Sequence, residues 1–473
     1  MTGTTPTDDA KKRRHRKERI AAGIVVLICL LAAAGAYFWS AWMKEDLRRD
    51  LTYIPREVPI TPEIRLLQEF VRIDTSTPAG AAQGARWIAR YLEKHGIRAE
   101  LIASAPDRLN VYARVKGKRA GGALLLFNHI DVMPPGDGWK TPPFSGGIAT
   151  NVMYGRGTLD MKALTVCQLV ALVDVVRSGR PPERDLIFLA TADEETGSEY
   201  GMRWLIANRG DVFEGVEYGI TEGGITEMMS DGITYFGIEV GGKQVVELTL
   251  EAADAGPLRK ARIALEPHMF PRDAGRIMPE VREYMKAIAP TRLAFRPYLA
   301  DIDKTIRNGD FWRLPAAYRD LTQTSLWVYE PEKNGDRWTM FVRMANLPDE
   351  SPDARIAWLS GLVRPYGIRL GEVRTKEGPV PISPTATPFF RVLTEEASRR
   401  YRVTAGPIIL YRSATDSRFL RPLGITCYGI SPYPVDYFQS LTIHKANERI
   451  GLDRFMEGVG YVKSVVSAWS QHP

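Results

Sequence analysis

The sequence predicts an α/β fold in which a largely parallel sheet carries helices on both faces, a smaller α+β domain is inserted into it, and a transmembrane helix precedes it. Three observations support this prediction. Short apolar runs typical of strands alternate with amphipathic segments at βαβ spacing. The pattern becomes half-exposed and alternating at Gly241 and resumes after Pro384. Residues 20–43 carry no charged side chain.

The amino-terminal segment predicts a single-pass membrane anchor. Seven of the nine residues 11–19 are Lys or Arg, and the 24 residues 20–43 are long enough to span a bilayer, which takes about 20 residues. The positive-inside rule then keeps the amino terminus in the cytoplasm and places the body on the extracytoplasmic side, periplasmic or extracellular. A cleaved signal peptide is the alternative, because residues 34–36 read Ala-Gly-Ala, the small-x-small form of a cleavage site.

The body divides at composition shifts. Three prolines punctuate the linker that ends at Pro62, and folded sequence begins near Glu63. The predicted segments are a basic cytoplasmic stretch (1–19), the anchor (20–43), a linker (44–62), the first part of the main domain (63–240), an inserted lid or dimerisation domain (241–377), which allows a homodimer, and the second part of the main domain (378–473).

Apolar periodicity predicts the elements of each part. In the first part, helices are expected at 64–73, 81–95, 164–176 and 201–208, and strands at 110–115, 123–127, 186–192 and 218–221. In the inserted part, 244–252, 338–344 and 368–374 are predicted strands, 353–366 is a predicted helix, and a Pro- and Arg-rich helical region follows the first strand. In the last part, helices are expected at 389–400 and 452–470 and strands at 408–411 and 426–430.

Composition excludes several classes of protein. Cys29, Cys167 and Cys427 form no CxxC pair, so neither a disulfide framework nor a thiolate zinc site is encoded, and a metal would need His and carboxylate ligands. Four of the seven net positive charges lie in residues 1–50. The remaining chain therefore has no basic footprint for nucleic acid, and we expect no nucleic-acid partner.

Two motifs in the first half could carry chemistry. His129 and Asp131 lie at period two after an apolar run, so a carboxylate could fix the tautomer of a metal-binding imidazole. Alone, this pair is a weak signal. Asp160 ends a Gly-rich turn just before a helix, where an N-cap is its commoner role. A phosphate loop is not indicated, because the GxxxxGK[ST] spacing is absent.

Further acidic residues follow two apolar strands. Asp193, Glu194 and Glu195 come directly after the run 186–192, where three acids are costly unless they are solvated or bind a cation. Glu222 follows the strand 218–221 and precedes two glycines, and His444 comes much later.

The combined placement is more informative than any single motif. His129, Glu195 and Glu222 each lie at the carboxyl end of a predicted strand, where open α/β sheets place their ligand crevice. Together with Asp160 and His444 they offer two His and three carboxylates, a set that suits two divalent ions of zinc type sharing one carboxylate. Such ions acidify a bridging water into a nucleophile near neutral pH.

These motifs resemble the di-zinc aminoacylase and carboxypeptidase family, which includes glutamate carboxypeptidase, succinyl-diaminopimelate desuccinylase and carboxypeptidase S. The resemblance runs from about Glu63 to Val466, with the motifs in family order at family-like spacing. It rests on the HxD of His129 and Asp131, YGRGTLDMK at 154–162, DEE at 193–195 followed by Gly197, EGG at 222–224, and His444 before Asn-Glu-Arg at 447–449.

The resemblance implies a role for each residue. His129 and Glu222 would bind one zinc, Glu195 and His444 the other, and Asp160 would bridge them. Asp131 would orient His129. Glu194 would be the general base that passes a proton from the bridging water to the leaving amine. Arg418 would grip the substrate carboxylate, with a structural ion pair as its alternative role.

The sequence departs from the family in the inserted domain. Most relatives place there a Gly-His pair that helps to polarise the scissile carbonyl, often across a dimer interface, whereas this chain has Gly256-Pro257. His268 could substitute for the missing histidine, although a surface position is the favoured interpretation. We therefore expect a membrane-anchored zinc hydrolase that cleaves an amide bond next to a free carboxylate, in an N-acyl amino acid or short peptide. The alternative is a degenerate, non-catalytic member that acts as an envelope binding or scaffold protein.

Overall fold

The computed structural model describes residues 55–472, apart from 230–231, 270–274, 411–414 and 436. Residues from Pro55 onward form one compact unit. The predicted cytoplasmic segment 1–19 and anchor 20–43 lie outside the described residues. No helix within the described part has both the length and the apolar character that a membrane span requires.

The described residues form strands and helices that we number along the chain. The strands are β1 (Ala99–Ala105), β2 (Arg108–Val115), β3 (Arg119–His129), β4 (Gly147–Ala149), β5 (Val152–Tyr154), β6 (Arg184–Thr191), β7 (Val216–Thr221), β8 (Ile225–Met229), β9 (Gly232–Gly242), β10 (Gln244–Ala252), β11 (Ser325–Val328), β12 (Glu332–Asn334), β13 (Arg337–Asn346), β14 (Arg369–Lys376), β15 (Thr404–Leu410), β16 (Thr426–Gly429) and β17 (Arg449–Gly451). The α-helices are α1 (Pro62–Val71), α2 (Pro78–Lys94), α3 (Lys162–Arg177), α4 (Met202–Asn208), α5 (Ala255–Met269), α6 (Pro279–Ile288), α7 (Arg296–Leu299), α8 (Ile302–Arg307), α9 (Ala316–Arg319), α10 (Pro352–Val363), α11 (Pro388–Tyr401), α12 (Ser417–Leu420), α13 (Tyr437–Ser440) and α14 (Leu452–Ser470).

The main sheet is mixed, which corrects the expectation of a largely parallel one. Its order is β1-β2-β6-β3-β7-β16-β9-β15, with β8 paired to β9. β6, β3, β7 and β16 run parallel in its centre, but β1–β2, β2–β6, β16–β9 and β8–β9 are antiparallel pairs. The strands β1, β8 and β9 were not anticipated. The antiparallel direction of β2–β6 and β16–β9 was missed because it depends on partners far along the chain.

The central strands are buried on both faces, as a helix-covered sheet requires. Along β3, Leu124 and Leu126 pack in a cluster with α1, α2, α3, α11 and α14, whereas Leu125 and Phe127 pack in a cluster with α4 and α12. This alternation follows the period of two of a strand and explains the unbroken apolar run.

Several helices begin at a Ser or Thr followed by proline. The side chains of Thr61, Thr77, Ser351 and Thr387 each accept a hydrogen bond from a backbone N–H in the first turn. The proline at the first helical position has no N–H to leave unsatisfied. These residues fix where α1, α2, α10 and α11 begin.

The region 241–377 contributes to two cores. Strands β10, β11, β13 and β14 form an antiparallel sheet that packs with α5 and α10 around Leu250 and Leu359. The helices α6 and α8, which follow α5, pack elsewhere, since Val281, Met285 and Ile302 belong to the core of the main sheet. The boundaries of the inserted domain stay a prediction.

Candidate metal centre

Three adjacent parallel strands bring the predicted ligands to one edge of the main sheet. β3 lies between β6 and β7. His129 is the last residue of β3, Glu195 lies in a short 3-10 turn after β6, and Glu222 follows β7. The predicted placement at the carboxyl ends of strands is thus what the structure has.

The first cluster of candidate ligands, which we name the His129 group, contains His129, Asp160 and Glu222. Nε2 of His129 lies 3.2 Å from Oδ1 of Asp160 and 3.5 Å from Oε1 of Glu222. All three ligand atoms lie within 4.8 Å of one another. The glycines after Glu222 are required locally, because Gly223 has a φ of +109° and a Cβ on Gly224 would lie 2.4 Å from the backbone nitrogen of Ser431.

The second cluster, the His444 group, contains Asp160, Glu195 and His444. Nε2 of His444 lies 3.0 Å from Oδ2 of Asp160 and 3.1 Å from Oε2 of Glu195. The two oxygens of Asp160 therefore face different histidines, which is the geometry of a shared carboxylate. The described residues thus contain two groups that could each hold a metal ion, with Asp160 common to both.

The residues fit divalent cations. Oε1 of Glu195 is buried without a hydrogen-bond partner among the described residues, and a bound cation would satisfy it. Imidazole and carboxylate donors without thiolate suit zinc and other divalent ions of its kind.

The charges of these groups are strongly coupled. Burial lowers the pKa of His129, but the charge of Glu222 and hydrogen bonds with Asp131, Asp160 and Glu222 raise it well above its usual value. Burial and the charge of Asp160 raise the pKa of Glu222 to about 8. Hydrogen bonds with Asp160 and Glu195 raise the pKa of His444 to about 10. Burial would raise the pKa of Asp160, yet its hydrogen bonds with His129 and His444 lower it. This excess of acidic groups favours a cation.

Asp131 holds two parts of the site together. Its main-chain oxygen lies 2.9 Å from Nδ1 of His129, so it accepts a hydrogen bond when Nδ1 carries the proton, which leaves Nε2 as the ligand atom. Its carboxylate lies farther from Nδ1, at 3.5 Å, and accepts hydrogen bonds from the backbone N–H groups of Glu194 and Glu195 at 3.0 and 3.1 Å. The sequence predicted the orienting role for the carboxylate, whereas the closer contact is made by the backbone.

Glu194 lies beside the ligands as a largely buried acid, with its side chain 15% exposed. Burial and the nearby charge of Asp416 raise its pKa well above the usual value for glutamate. Asp416 is itself buried and accepts a hydrogen bond from the Ser198 hydroxyl. Glu194 therefore holds a proton more readily than an exposed glutamate does, which is the direction that a general acid requires.

Arg418 lies between this acid and the antiparallel sheet of β10, β11, β13 and β14, which we name the second sheet, and its side chain is 10% exposed. Its Nη1 lies 3.6 Å from Oε1 of Glu194, and its Nε lies 3.2 Å from Oε1 of Glu377. Glu377 also links the end of β14 to the start of β10. Its Oε2 accepts a hydrogen bond from the backbone N–H of Val245, and its own backbone N–H donates one to the backbone oxygen of Val245. Arg418 therefore makes ion pairs in this structure, and its predicted contact with a substrate carboxylate stays a prediction. Residues 411–414, which precede it, lie outside the described residues.

The two residues singled out in the inserted domain lie in the second sheet's helical layer. Pro257 is in the first turn of α5, and His268 is in its last turn, where its ring packs edge-on against Trp358 at 5.2 Å. His268 is half-buried, and both interpretations of it stay predictions.

Sequence reasoning missed three buried polar residues around the ligands. Arg156 and Glu448 form an ion pair at 2.7 Å with side chains almost fully buried. Gln168 of α3 donates hydrogen bonds to the backbone oxygens of Phe127 and Ile220, and its own oxygen accepts one from Asn128. Gln168 thus ties β3 to β7 just before His129 and Glu222. Arg156 and Glu448 lie within the motifs that carry the family resemblance, and this was the signal that could have identified them. Their pairing could not be read from the sequence, because they lie 292 residues apart.

Two ligand groups with a shared carboxylate are the arrangement of a two-metal hydrolase, and this is the class that the fold and the site define. Residues 125–468 match the model of Peptidase family M20/M25/M40, and the chain belongs to this family. The predicted family and the metallo-amidohydrolase class are thus confirmed at the level of family membership.

Relatives agree with this assignment over part of the chain. The chain is 34% identical over 167 residues to a succinyl-diaminopimelate desuccinylase of Bradyrhizobium sp. (strain ORS 278), which covers 33% of the chain and 42% of that relative. It is 34% identical over 163 residues to the desuccinylase of Methylocella silvestris, covering 32% of the chain and 40% of the relative. The matched part is therefore less than half the length of these relatives.

Solved structures show the same fold. The M20 family metallo-carboxypeptidase Sso-CP2 from Sulfolobus solfataricus aligns with a TM-score of 0.66 at 19% identity, covering 87% of this chain and 99% of that one. Human carnosine dipeptidase 1 aligns with a TM-score of 0.65 at 15% identity, covering 87% and 96%.

Proposed function

We propose that the chain is a membrane-anchored, zinc-dependent hydrolase that cleaves an amide or peptide bond next to a free carboxylate, in an N-acyl amino acid or a short peptide. The observation that carries this proposal is the sharing of Asp160 between the His129 group and the His444 group. The buried Glu194 beside them adds the acid–base group that such a hydrolysis needs.

The chain's residues divide the work of the reaction. Two divalent cations held by these groups would lower the pKa of water and polarise the scissile carbonyl. Glu194 takes the proton of the attacking water onto its carboxylate and delivers it to the nitrogen of the leaving amine. Asp131 keeps Glu194 in place through the backbone of the turn that carries it. General acid–base catalysis of this kind contributes about 10²–10⁴-fold to the rate.

The substrate class rests on Arg418 and on the relatives. The Arg418 guanidinium lies beside Glu194, where it could bind a carboxylate next to the scissile bond. The names desuccinylase and dipeptidase denote hydrolysis of an acylated amine and of a dipeptide, and these support the two proposed substrate classes.

The location of the enzyme is a proposal from the sequence. The uncharged residues 20–43 with basic residues before them support an anchor whose body lies on the extracytoplasmic side. Protease protection of the full chain in inverted and right-side-out vesicles tests this placement, since the body would be digested only when it faces the protease. A homodimer through residues 241–377 likewise stays a prediction, which the mass of the protein in solution tests.

The activity test compares the wild type with two Glu-to-Gln variants. The zinc-loaded chain is incubated with a mixture of N-acyl amino acids and dipeptides, and released amines are followed by mass spectrometry. We expect release by the wild type, a loss of about 10²–10⁴-fold in Glu194→Gln, and wild-type release by Glu199→Gln, which changes an exposed glutamate nearby. Full activity of Glu194→Gln would contradict the mechanism. Silence of all three proteins with zinc retained would favour the binding-protein alternative.

A further inference from the structure

We infer that the buried ion pair between Arg156 and Glu448 is the positioning device that presets Asp160 and His444 for metal binding. This inference rests on the proposed function, because it takes the His444 group to be a metal site. Neither residue touches a candidate ligand atom, so both would act through the backbone.

Glu448 fixes the Asp160 turn directly. Its Oε1 accepts hydrogen bonds from the backbone N–H groups of Leu159 and Asp160, at 2.8 and 3.3 Å. Its backbone oxygen accepts another from Gly155, at 2.9 Å. Because Glu448 lies four residues after His444, the same contacts set the distance between the two ligands of the His444 group.

Arg156 ties the turn to two further segments. Its Nη1 donates to Oε2 of Glu448 at 2.7 Å and to the backbone oxygen of Lys445 at 3.3 Å. Its Nη2 donates to the backbone oxygens of Pro134 and Pro135, at 3.2 and 3.4 Å. One side chain thus holds the loop after Asp131, its own turn, and the segment of His444.

No helix or strand fixes the three segments that Arg156 and Glu448 connect. Segments 130–146, 155–161 and 441–448, all described, contain no helix or strand. His444 and Asn447 adopt left-handed backbone conformations, with φ of +61° and +64°. An ion pair whose side chains are 1% and 0% exposed is costly to desolvate, and an apolar pair of similar volume often stabilises a fold as well or better. A role in fixing the ligands accounts for the charges, whereas stability alone does not.

The test removes both charges together. Loss of one partner alone would leave a buried unpaired charge, so the double variant Arg156→Met/Glu448→Leu is the informative one. We expect its metal-free form to melt below the metal-free wild type, because five backbone groups lose their hydrogen-bond partners. Its affinity for zinc should fall about 10–100-fold, as for other residues that support metal ligands. Zinc calorimetry and the zinc-induced rise in melting temperature measure this. In the metal-free protein, the backbone N–H groups of Leu159 and Asp160 should also exchange hydrogen faster.

The matched control is Arg114→Met/Asp185→Leu, which removes an ion pair between β2 and β6 near the start of β6 and should keep wild-type zinc affinity. Should the first double variant not fold, Arg156→Lys replaces it, because it keeps the positive charge but lacks the forked guanidinium that reaches Glu448 and the proline oxygens together, with the same expected direction. Wild-type zinc affinity and hydrogen exchange in these variants would overturn the positioning role. A wild-type chain that binds no zinc would contradict both the proposed function and this inference. If the wild type binds zinc but hydrolyses nothing, and only the variants lose zinc, the positioning role is supported and the proposed activity alone is contradicted.

Discussion

The two ligand groups have similar chemistry but are held in different ways. His129 ends a central strand and is 2% exposed, and Glu222 follows the neighbouring strand. The side chain of His444 is 44% exposed, and it lies on an irregular segment far along the chain. The sheet therefore fixes His129 and Glu222, and also Glu195 after β6, whereas long-range side-chain contacts fix His444.

This difference separates stability from metal binding. Changes in the His129 group should disturb the edge of the main sheet as well as the metal, because its residues are part of the packed fold. Changes at His444 should weaken metal binding with less effect on the metal-free fold. The predictions below test this contrast, beginning with the residue that the two groups share.

Asp160→Asn is expected to have the largest effect, because it removes the charge of the ligand common to both groups. Zinc content should fall from two ions per chain to less than one, and hydrolysis should fall by more than the ~10²–10⁴-fold expected for loss of Glu194. Metal analysis after dialysis measures the first effect. Asp137→Asn, at an exposed position, is the control, and two tightly bound zinc ions in Asp160→Asn would refute the sharing.

Alanine at the two histidines should separate the groups by stability. His129→Ala removes hydrogen bonds of a buried imidazole and should lower the free energy of unfolding of the metal-free protein by about 1–3 kcal/mol. His444→Ala changes a half-exposed side chain, whose ion pairs are screened by solvent, and should lower it by less than His129→Ala does. Urea denaturation of the metal-free variants measures both, and equal losses would remove the contrast.

Gln168→Leu should loosen the His129 group alone. Its amide bridges the backbones of β3 and β7, so its loss lets His129 and Glu222 shift relative to each other. We expect zinc affinity at one of the two sites to fall about 10-fold. Stepwise zinc calorimetry resolves the two events, and an equal weakening of both would show that Gln168 does not act on one group.

The pH dependence of the metal-free protein should show the smallest effect. The pKa of His444 is raised from about 6.5 to about 10 in the folded state, so its contribution to stability is full below pH 6.5 and is lost as the pH rises through 10. The difference in unfolding free energy between the wild type and His444→Gln should therefore shrink over that range. Half-exposure screens the effect. A difference that grows with pH would contradict the assigned hydrogen bonds.

The sequence predicted the local parts of this fold and site well. Apolar runs located β3, β6 and β7, and the residues after them are the ones that converge. Strand direction at the sheet edges was missed, since antiparallel pairs such as β2–β6 depend on partners far along the chain. The result is a mixed sheet.

Support for the ligands was predicted less well. Arg156 and Glu448 are charged residues that a sequence places on a surface by default, and only the fold shows them buried against each other. Gln168 lies in a helix that is buried nearly all round, so its polarity gave no face to predict. Asp131 was assigned to His129, from which its carboxylate lies 3.5 Å. The hydrogen bonds that this carboxylate accepts from the backbone N–H groups of Glu194 and Glu195 have no signature in the sequence.

Counting zinc ions by native mass spectrometry tests the central claim most directly. During stepwise addition of zinc, the wild type should bind two ions per chain and His444→Ala one, retained by His129, Asp160 and Glu222. One ion in the wild type, or two in His444→Ala, would contradict a centre built from two groups that share Asp160.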